Sequence, residues 1–345
     1  MMTDEELKTI DNSVVFDSFI KARSVLGKHK KIAVSISGGA DSDIVLDLIE
    51  RVRTDENDVH YVWFNTGIEY QATKDHLVYL ENRYGITIDR ARAKKPIPVV
   101  CKEFGQPFLS KNVSNRIRML QSRNFKFEGK PFEELVKEYP MSLTALRWWC
   151  NCADPSVPDG KKSMFNVDHD KWLKEFLIEN PPTFKVSGEC CKYAKKNPSK
   201  EYTKDNRIDL IILGIRKSEG GVRAAGKNCY TVHKGEVAKY RPIFWYTDSD
   251  KKWYEEHFDI VHSDCYTKYG LKRTGCVGCP FNSKWSEEQR LCEVYEPNLI
   301  KACRTIFKDS YEYTQKYKAF KQRMNAKEKA LKWQTDIYDF IKEAN

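Results

Sequence analysis

Residues 31–42 read Lys-Ile-Ala-Val-Ser-Ile-Ser-Gly-Gly-Ala-Asp-Ser. The first six form a short apolar run suited to a buried strand. The last six make a glycine turn, after which Ile44, Val45, Leu48, Ile49 and Val52 recur at helical spacing. In a strand–loop–helix unit, Gly38 and Gly39 let the backbone come close to a ligand. The free N–H groups of the loop and of the helix start then favour an anion such as a phosphate. Ser37 and Ser42 add hydroxyl donors. Asp41 would repel a phosphate unless it caps the helix or holds a magnesium ion that neutralises a pyrophosphate. An ordinary tight turn with a helix cap is the plain alternative, and six such residues after a buried strand weigh against it. The pattern is neither the Gly-Lys-Ser/Thr phosphate loop nor the dinucleotide fingerprint.

Outward from this stretch, residues 13–28 read as an amphipathic helix, 59–64 as a second strand, 65–67 as a turn, 71–84 as a helix and 86–90 as a third strand. Alternating strands and helices predict an α/β fold with a parallel sheet covered on both faces. The middle, 94–182, is basic, aromatic and broken by prolines, with a loop over 154–162 and a short helix over 171–179. Residues 208–215 read as a late strand that rejoins the sheet. From 310 onward the chain is Lys-rich and aromatic, with Tyr313, Tyr317 and Phe320 at helical spacing.

The 345 residues carry a net charge of +10, which suits an anionic partner without choosing between nucleotide and nucleic acid. The excess is concentrated: residues 90–130 hold eleven Lys or Arg against two Glu. No run approaches the roughly 18 apolar residues of a membrane helix, and residues 1–10 are acidic without an apolar signal region. A cytoplasmic protein without a membrane partner is the expectation. Eleven cysteines are then better suited to metal or redox work than to disulfides. They are grouped, as Cys150 with Cys152, Cys190 with Cys191, and Cys276 with Cys279.

Ser37-Gly38-Gly39-Ala40-Asp41-Ser42 resembles the PP-loop of ATP pyrophosphatases, Ser-Gly-Gly-x-Asp-Ser. Asn65-Thr66-Gly67-Ile68-Glu69-Tyr70 with Thr73 resembles the second motif of the phosphoadenosine phosphosulfate (PAPS) reductase branch. Gly214-Ile215-Arg216-Lys217-Ser218-Glu219 with Arg223 resembles its Gly-x-Arg segment, with Ser and Glu in reversed order. Tyr240-Arg241-Pro242-Ile243 and Trp245, with Asp250 and Trp253, resemble its Pro-Ile…Trp segment, and Arg273-Thr274-Gly275-Cys276 its Arg-Thr-Gly-Cys ending. The resemblance spans about residues 30–285. It implies a PAPS-reductase-like PP-loop domain of the adenine nucleotide alpha hydrolase type over 1–285, with the basic insertion at 94–182. A mostly helical, Cys-containing extension over 286–345 follows.

The resemblance also implies a site. ATP or an adenylyl sulfate would bind at Ser37, Gly38, Gly39, Asp41, Ser42, Thr66, Gly67, Glu69, Gly214 and Arg216. Asp41, Arg216, Arg223 and Arg273 would act in the chemistry, the arginines as bidentate clamps on phosphate or sulfate. Cys190-Cys191, roughly eighty residues, then Cys276-x-x-Cys279 resembles the iron–sulfur pattern of assimilatory adenylylsulfate reductases, with Lys192, Lys195, Lys196 and Pro198 extending the match. Four thiolates hold either a 4Fe–4S cluster or a zinc ion. The resemblance favours the cluster at Cys190, Cys191, Cys276 and Cys279. A second set, Cys265, Cys276, Cys279 and Cys292, resembles the PP-loop component of DNA phosphorothioation systems. It is the less favoured of the two, because an adjacent Cys pair has few structural uses. Cys150 and Cys152 would need Asp154 or His169 to complete a metal site. Cys101, Cys229 and Cys303 read as packing residues, and His233, His257 and His262 as structural.

Sulfonucleotide reductases of this branch use a Cys in a Glu-Cys-Gly-Leu-His motif, and residues 304–345 contain neither Cys nor His. An intact PP-loop is the ATP-using form. The expected activity is therefore adenylation with pyrophosphate release in service of sulfur transfer, with a sulfur donor protein or reductant as partner. Reduction of adenylylsulfate or PAPS to sulfite is the second reading. A zinc-stabilised nucleic-acid binder, with stacking by the Tyr- and Lys-rich tail, is the third.

Overall fold

In a computed structural model the described residues are 2–153, 166–220, 223–224 and 226–343, with side chains described up to 334. The expected loop at 154–162, including Asp154, lies outside them. The described chain separates into two compact units. One comprises residues 1–97, 191–279 and 286–301, and the other 98–190, 280–285 and 302–345.

The first unit is an α/β sheet of six strands: β1 (Lys31–Ser35), β2 (Asp58–Asn65), β3 (Ile88–Arg92), β4 (Leu210–Leu213), β5 (Tyr230–Thr231) and β6 (Ala238–Tyr240). Their order is β3-β2-β1-β4-β6-β5, parallel throughout except for β5, which pairs antiparallel with β6. The centre is β1, with Ile32 facing Val59 on one side and Leu210 on the other. Ile32, Val34, Leu210 and Ile212 are fully buried, as expected of strands covered on both faces. They pack with Phe19 and Ala22 of the helix Ser13–Leu26 and with Ile44, Val45, Leu48 and Ile49 of the helix Ala40–Val52.

The helices at 13–26, 40–52 and 71–84 and the late strand at 210–213 fall where periodicity placed them. The third strand starts at Ile88 rather than 86, because Gly85 closes the preceding helix in a left-handed cap (φ +61°) and Ile86 still donates to the Glu81 carbonyl. With β2 and β3 on one side of β1 and β4 on the other, connections leave β1 and β4 in opposite directions. The crevice beyond the carboxyl ends of β1 and β4 is the switch point where α/β sheets bind ligands.

The second unit is helical. Its core holds Phe108, Ile117, Leu146, Trp149, Phe176, Tyr313, Tyr317 and Phe320. Phe108 lies 4.7 Å from the Tyr313 ring, and Phe176 lies 5.0 Å from both Tyr313 and Tyr317. The long helix Lys308–Glu343 thus spends its Tyr/Phe stripe on packing against the middle of the chain. This is why the units differ from the expected division into 1–285 and 286–345. The same burial keeps these three rings from stacking on a nucleic acid.

Candidate functional site

The loop between β1 and the helix Ala40–Val52 is built by its glycines and serines. Gly38 is left-handed (φ +66°), and a Cβ there would lie 2.7 Å from Thr73 Cγ2, so both the torsion and the space require glycine. Gly39 is the N-cap, and a Cβ on it would meet Thr274 Oγ1 at 2.8 Å. Ser42, in the first helical turn, folds its hydroxyl back: Ser37 N–H and Gly39 N–H donate to Ser42 Oγ at 3.2 and 3.1 Å, and Ser42 Oγ donates to the Gly39 carbonyl at 2.7 Å. Ala40 N–H donates to the hydroxyl of Tyr266 at 3.1 Å. The amides suited to a phosphate therefore meet neutral hydroxyls only.

Gly214, just past β4, lets that strand end close against the loop, since a Cβ would lie 3.0 Å from the Asp41 carbonyl oxygen. Two residues on, Arg216 donates from Nε to Asp41 at 3.1 Å and from Nη1 to Asp248 at 2.7 Å. The Asp248 carboxyl is held below the usual carboxylate range by this guanidinium. Lys251 Nζ stands 2.9 Å from the other Asp41 oxygen. Asp41 thus sits between two cations at the switch point, and its charge is compensated before any ligand arrives. Arg223 pairs with Glu219, and Arg273 is exposed next to Thr274. Asp250 completes a capping box with Thr247 at the start of the helix Asp248–His257 and accepts from Asn12. Trp253 stacks on His257.

Thr66, Gly67 and Glu69 form the second wall. The buried Glu69 carboxylate accepts from the Thr66 N–H (2.9 Å), the Thr66 hydroxyl and the Gly67 N–H (3.2 Å), so it shapes its own turn. Thr66 Oγ1 lies 3.5 Å from Cys276 Sγ, Glu69 and Cys276 form an antiparallel bridge, and Val277 N–H donates to the Ile68 carbonyl at 2.9 Å. The sulfur of Cys276, ahead of Glu69, Cys191 and Cys279, keeps the Lys195 ammonium above the usual lysine value. Burial pushes the Cys276 thiol up, with Lys195 and Thr66 pulling against it. Lys195 lies in a π-helical turn, Lys192–Lys196, that directly follows the Cys pair. Such turns are uncommon and frequent at functional sites.

Cys191, Cys276 and Cys279 are thus electrostatic neighbours around one lysine in the first unit. Cys190 precedes Cys191 at the junction with the second unit. Cys265 and Cys292 neighbour each other beside Tyr70. Cys265 lies 3.5 Å from Thr73 Oγ1, and burial pushes Cys292 up to about 11. Among the described residues, no three His, Cys, Asp or Glu side chains are gathered at metal-ligand spacing. Cys150 and Cys152 lie in the second unit, and His169 is exposed. Cys101 and Cys303 are buried, and Cys229 packs against the sheet core.

Asp43, His76, Lys251, Glu255 and Tyr266 contribute without a sequence signal. Asp43, one residue past the loop and 1% exposed, contacts His76 Nε2 at 3.1 Å and His262 Nδ1 at 2.9 Å. His262 Nε2 lies 2.8 Å from Glu255, which in turn lies 3.6 Å from Lys251. A chain of ionisable side chains therefore runs from His76 through Asp43, His262, Glu255 and Lys251 to Asp41. Lys251, His76 and Tyr266 become visible only when helices distant in sequence come together, and His262, which the sequence marks only as structural, is the centre of that chain.

Residues 31–125 match the family model of the phosphoadenosine phosphosulfate reductase domain. The matched stretch holds the glycine loop and the strands β1, β2 and β3, so the likeness falls on the part of the sheet that carries the loop. An uncharacterized protein of Methanocaldococcus jannaschii is 23% identical over 257 residues, which are 73% of this chain. The chain spans about a third (36%) of that relative's length. Among solved structures, PAPS reductase from Candida auris in a phosphate complex is 13% identical (TM-score 0.41; 80% of this chain and 96% of that one). The U34-tRNA thiolase NcsA of Methanococcus maripaludis, solved with its [4Fe-4S] cluster, is 14% identical (TM-score 0.38; 88% and 78%). Among the described residues no helix is long and apolar enough to cross a membrane.

Proposed function

We propose that the chain binds ATP with its phosphates on the 37–42 loop and transfers the adenylyl group to an acceptor oxygen, releasing pyrophosphate, in preparation for sulfur transfer. The observation that carries this reading is the loop itself. The amides of Ser37, Gly39 and Ala40 donate to hydroxyls, in a glycine-built turn at the head of a 13-residue helix. A phosphate oxygen is a stronger acceptor than a hydroxyl for such amides. In the reaction the acceptor oxygen attacks the α-phosphorus, the bond to the bridging oxygen breaks, and the electron pair leaves with pyrophosphate. A sulfur nucleophile then displaces AMP from the adenylated carbon.

This chain's residues supply positioning and charge. Loop amides and the helix N-terminus face the phosphates, and the Arg216 and Lys251 cations stabilise charge that builds in transfer. Asp41 is the carboxylate that would hold a magnesium ion, which would neutralise phosphate charge.

Cys190, Cys191, Cys276 and Cys279 are the thiols that would hold an iron–sulfur cluster, and the influence of Cys276, Cys191 and Cys279 on the Lys195 ammonium supports this reading, since a cation there offsets thiolate charge. Such a cluster would supply sulfur or electron chemistry beside the nucleotide site. The test is pyrophosphate release from ATP by the full chain, compared with Ser37→Ala and Asp41→Ala. Release that both substitutions abolish supports the proposal. Sulfite release from adenylylsulfate or PAPS with a thiol donor, without ATP use, replaces it with the reductase reading.

A further inference from the structure

Ala40 is the first residue of the helix Ala40–Val52, and its N–H has no intrahelical partner. In an open groove such an amide is left to water. Here it donates to the hydroxyl of Tyr266, which comes from the short helix Asp264–Thr267 and is 226 residues away in sequence. The Thr274 hydroxyl lies 3.5 Å from the Tyr266 oxygen and also faces Gly39. Two neutral hydroxyls thus stand against the part of the loop where an anion would sit. Neither is accounted for by the packing of the sheet.

The chemistry of these groups is specific. A tyrosine hydroxyl both accepts and donates. A tyrosine hydroxyl ordinarily titrates near pH 10, so near neutrality the group remains a donor. As an acceptor for the Ala40 N–H it is weaker than an ionised phosphate oxygen. An arriving phosphate takes over the amide, and the freed hydroxyl then has an anion within its reach and a proton to give it.

We infer that Tyr266 is a phosphate-binding residue of the loop, its hydroxyl holding the Ala40 amide when the loop is free and donating to the anion when the loop is filled, with Thr274 beside it. The inference rests on the reading of residues 37–42 as a phosphate site and deepens it. It makes this wall a selector for ionised, hydrogen-bond-accepting groups, since an uncharged ligand gains nothing by displacing a hydroxyl.

The test is calorimetric binding of inorganic pyrophosphate and, separately, of adenosine to the full chain, to Tyr266→Phe and to Thr274→Val, with circular dichroism to confirm folding. Tyr266→Phe should weaken pyrophosphate roughly tenfold or more, the loss expected for a charge-assisted hydrogen bond. Thr274→Val should weaken it less, and adenosine affinity should stay the same in both. Equal pyrophosphate affinity for wild type and both variants overturns the inference, as does a loss shared equally by adenosine. If Tyr266→Phe does not fold, Thr274→Val alone decides by the same criterion. Wild type that takes up neither pyrophosphate nor ATP overturns the phosphate site itself, which separates the two failures.

Discussion

His262 offers a sharp test of the chain of ionisable side chains that ends at Asp41. Its imidazole is 16% exposed, with Asp43 on Nδ1 and Glu255 on Nε2. Burial alone would lower its pKa from 6.5, but the hydrogen bonds and charges of Asp43 and Glu255 outweigh burial and raise it to about 9. The other groups facing this cluster are His76 through Asp43, Lys251 through Glu255, and the Tyr266 ring at 5.8 Å. A rise from 6.5 to about 9 is equivalent to about 3 kcal/mol. Because the folded value is the higher one, the folded chain holds the extra proton between the two values. The stabilisation is complete below about pH 6.5 and is lost as pH rises through about 9. Urea unfolding of the wild type and of His262→Gln, followed across that window, isolates the effect. The wild type should lose about 3 kcal/mol more than the variant between its ends. Parallel curves for the two proteins would refute the assignment of a protonated His262 between two carboxylates.

Gly38→Ala should destabilise the fold by about 1–2 kcal/mol and abolish pyrophosphate binding, because φ is +66° and the new methyl meets Thr73; a normal melting temperature with intact binding would contradict this. Asp250→Ala, which removes the capping box and the Asn12 bond, should cost about 1–2 kcal/mol in chemical denaturation while leaving nucleotide affinity unchanged. Phe176→Ala should cost about 3–5 kcal/mol in the helical unit, read as an earlier transition in denaturant, since its ring meets Phe108, Tyr313, Tyr317 and Phe320. After anaerobic reconstitution with iron and sulfide, Cys276→Ser should lose the visible absorbance that the wild type acquires. Equal spectra would remove Cys276 from the ligand set.

The sheet centre and the loop were legible because they rest on local signals: an apolar run, two glycines and a 3.6-residue period. The strands Tyr230–Thr231 and Ala238–Tyr240 were not, as two or three residues carry no period. The stripe Tyr313, Tyr317 and Phe320 announced a helix but not its partner, because contact with Phe108 joins segments about two hundred residues apart. At the site, Asp41 and Arg216 were both singled out and do meet. Glu69 was singled out as well, yet its carboxylate is taken by the amides of its own turn. Lys251 lies on a mostly polar helix where one more lysine has no distinguishing neighbour, and only the fold brings it to Asp41.

The bridge between Glu69 and Cys276 ties a turn leaving the sheet to the segment that carries a thiol pair. Whatever immobilises one of these segments has already met part of the ordering entropy of the other. A nucleotide and an iron–sulfur group seated on the two would therefore assist each other's binding by one common factor, identical whichever arrives first.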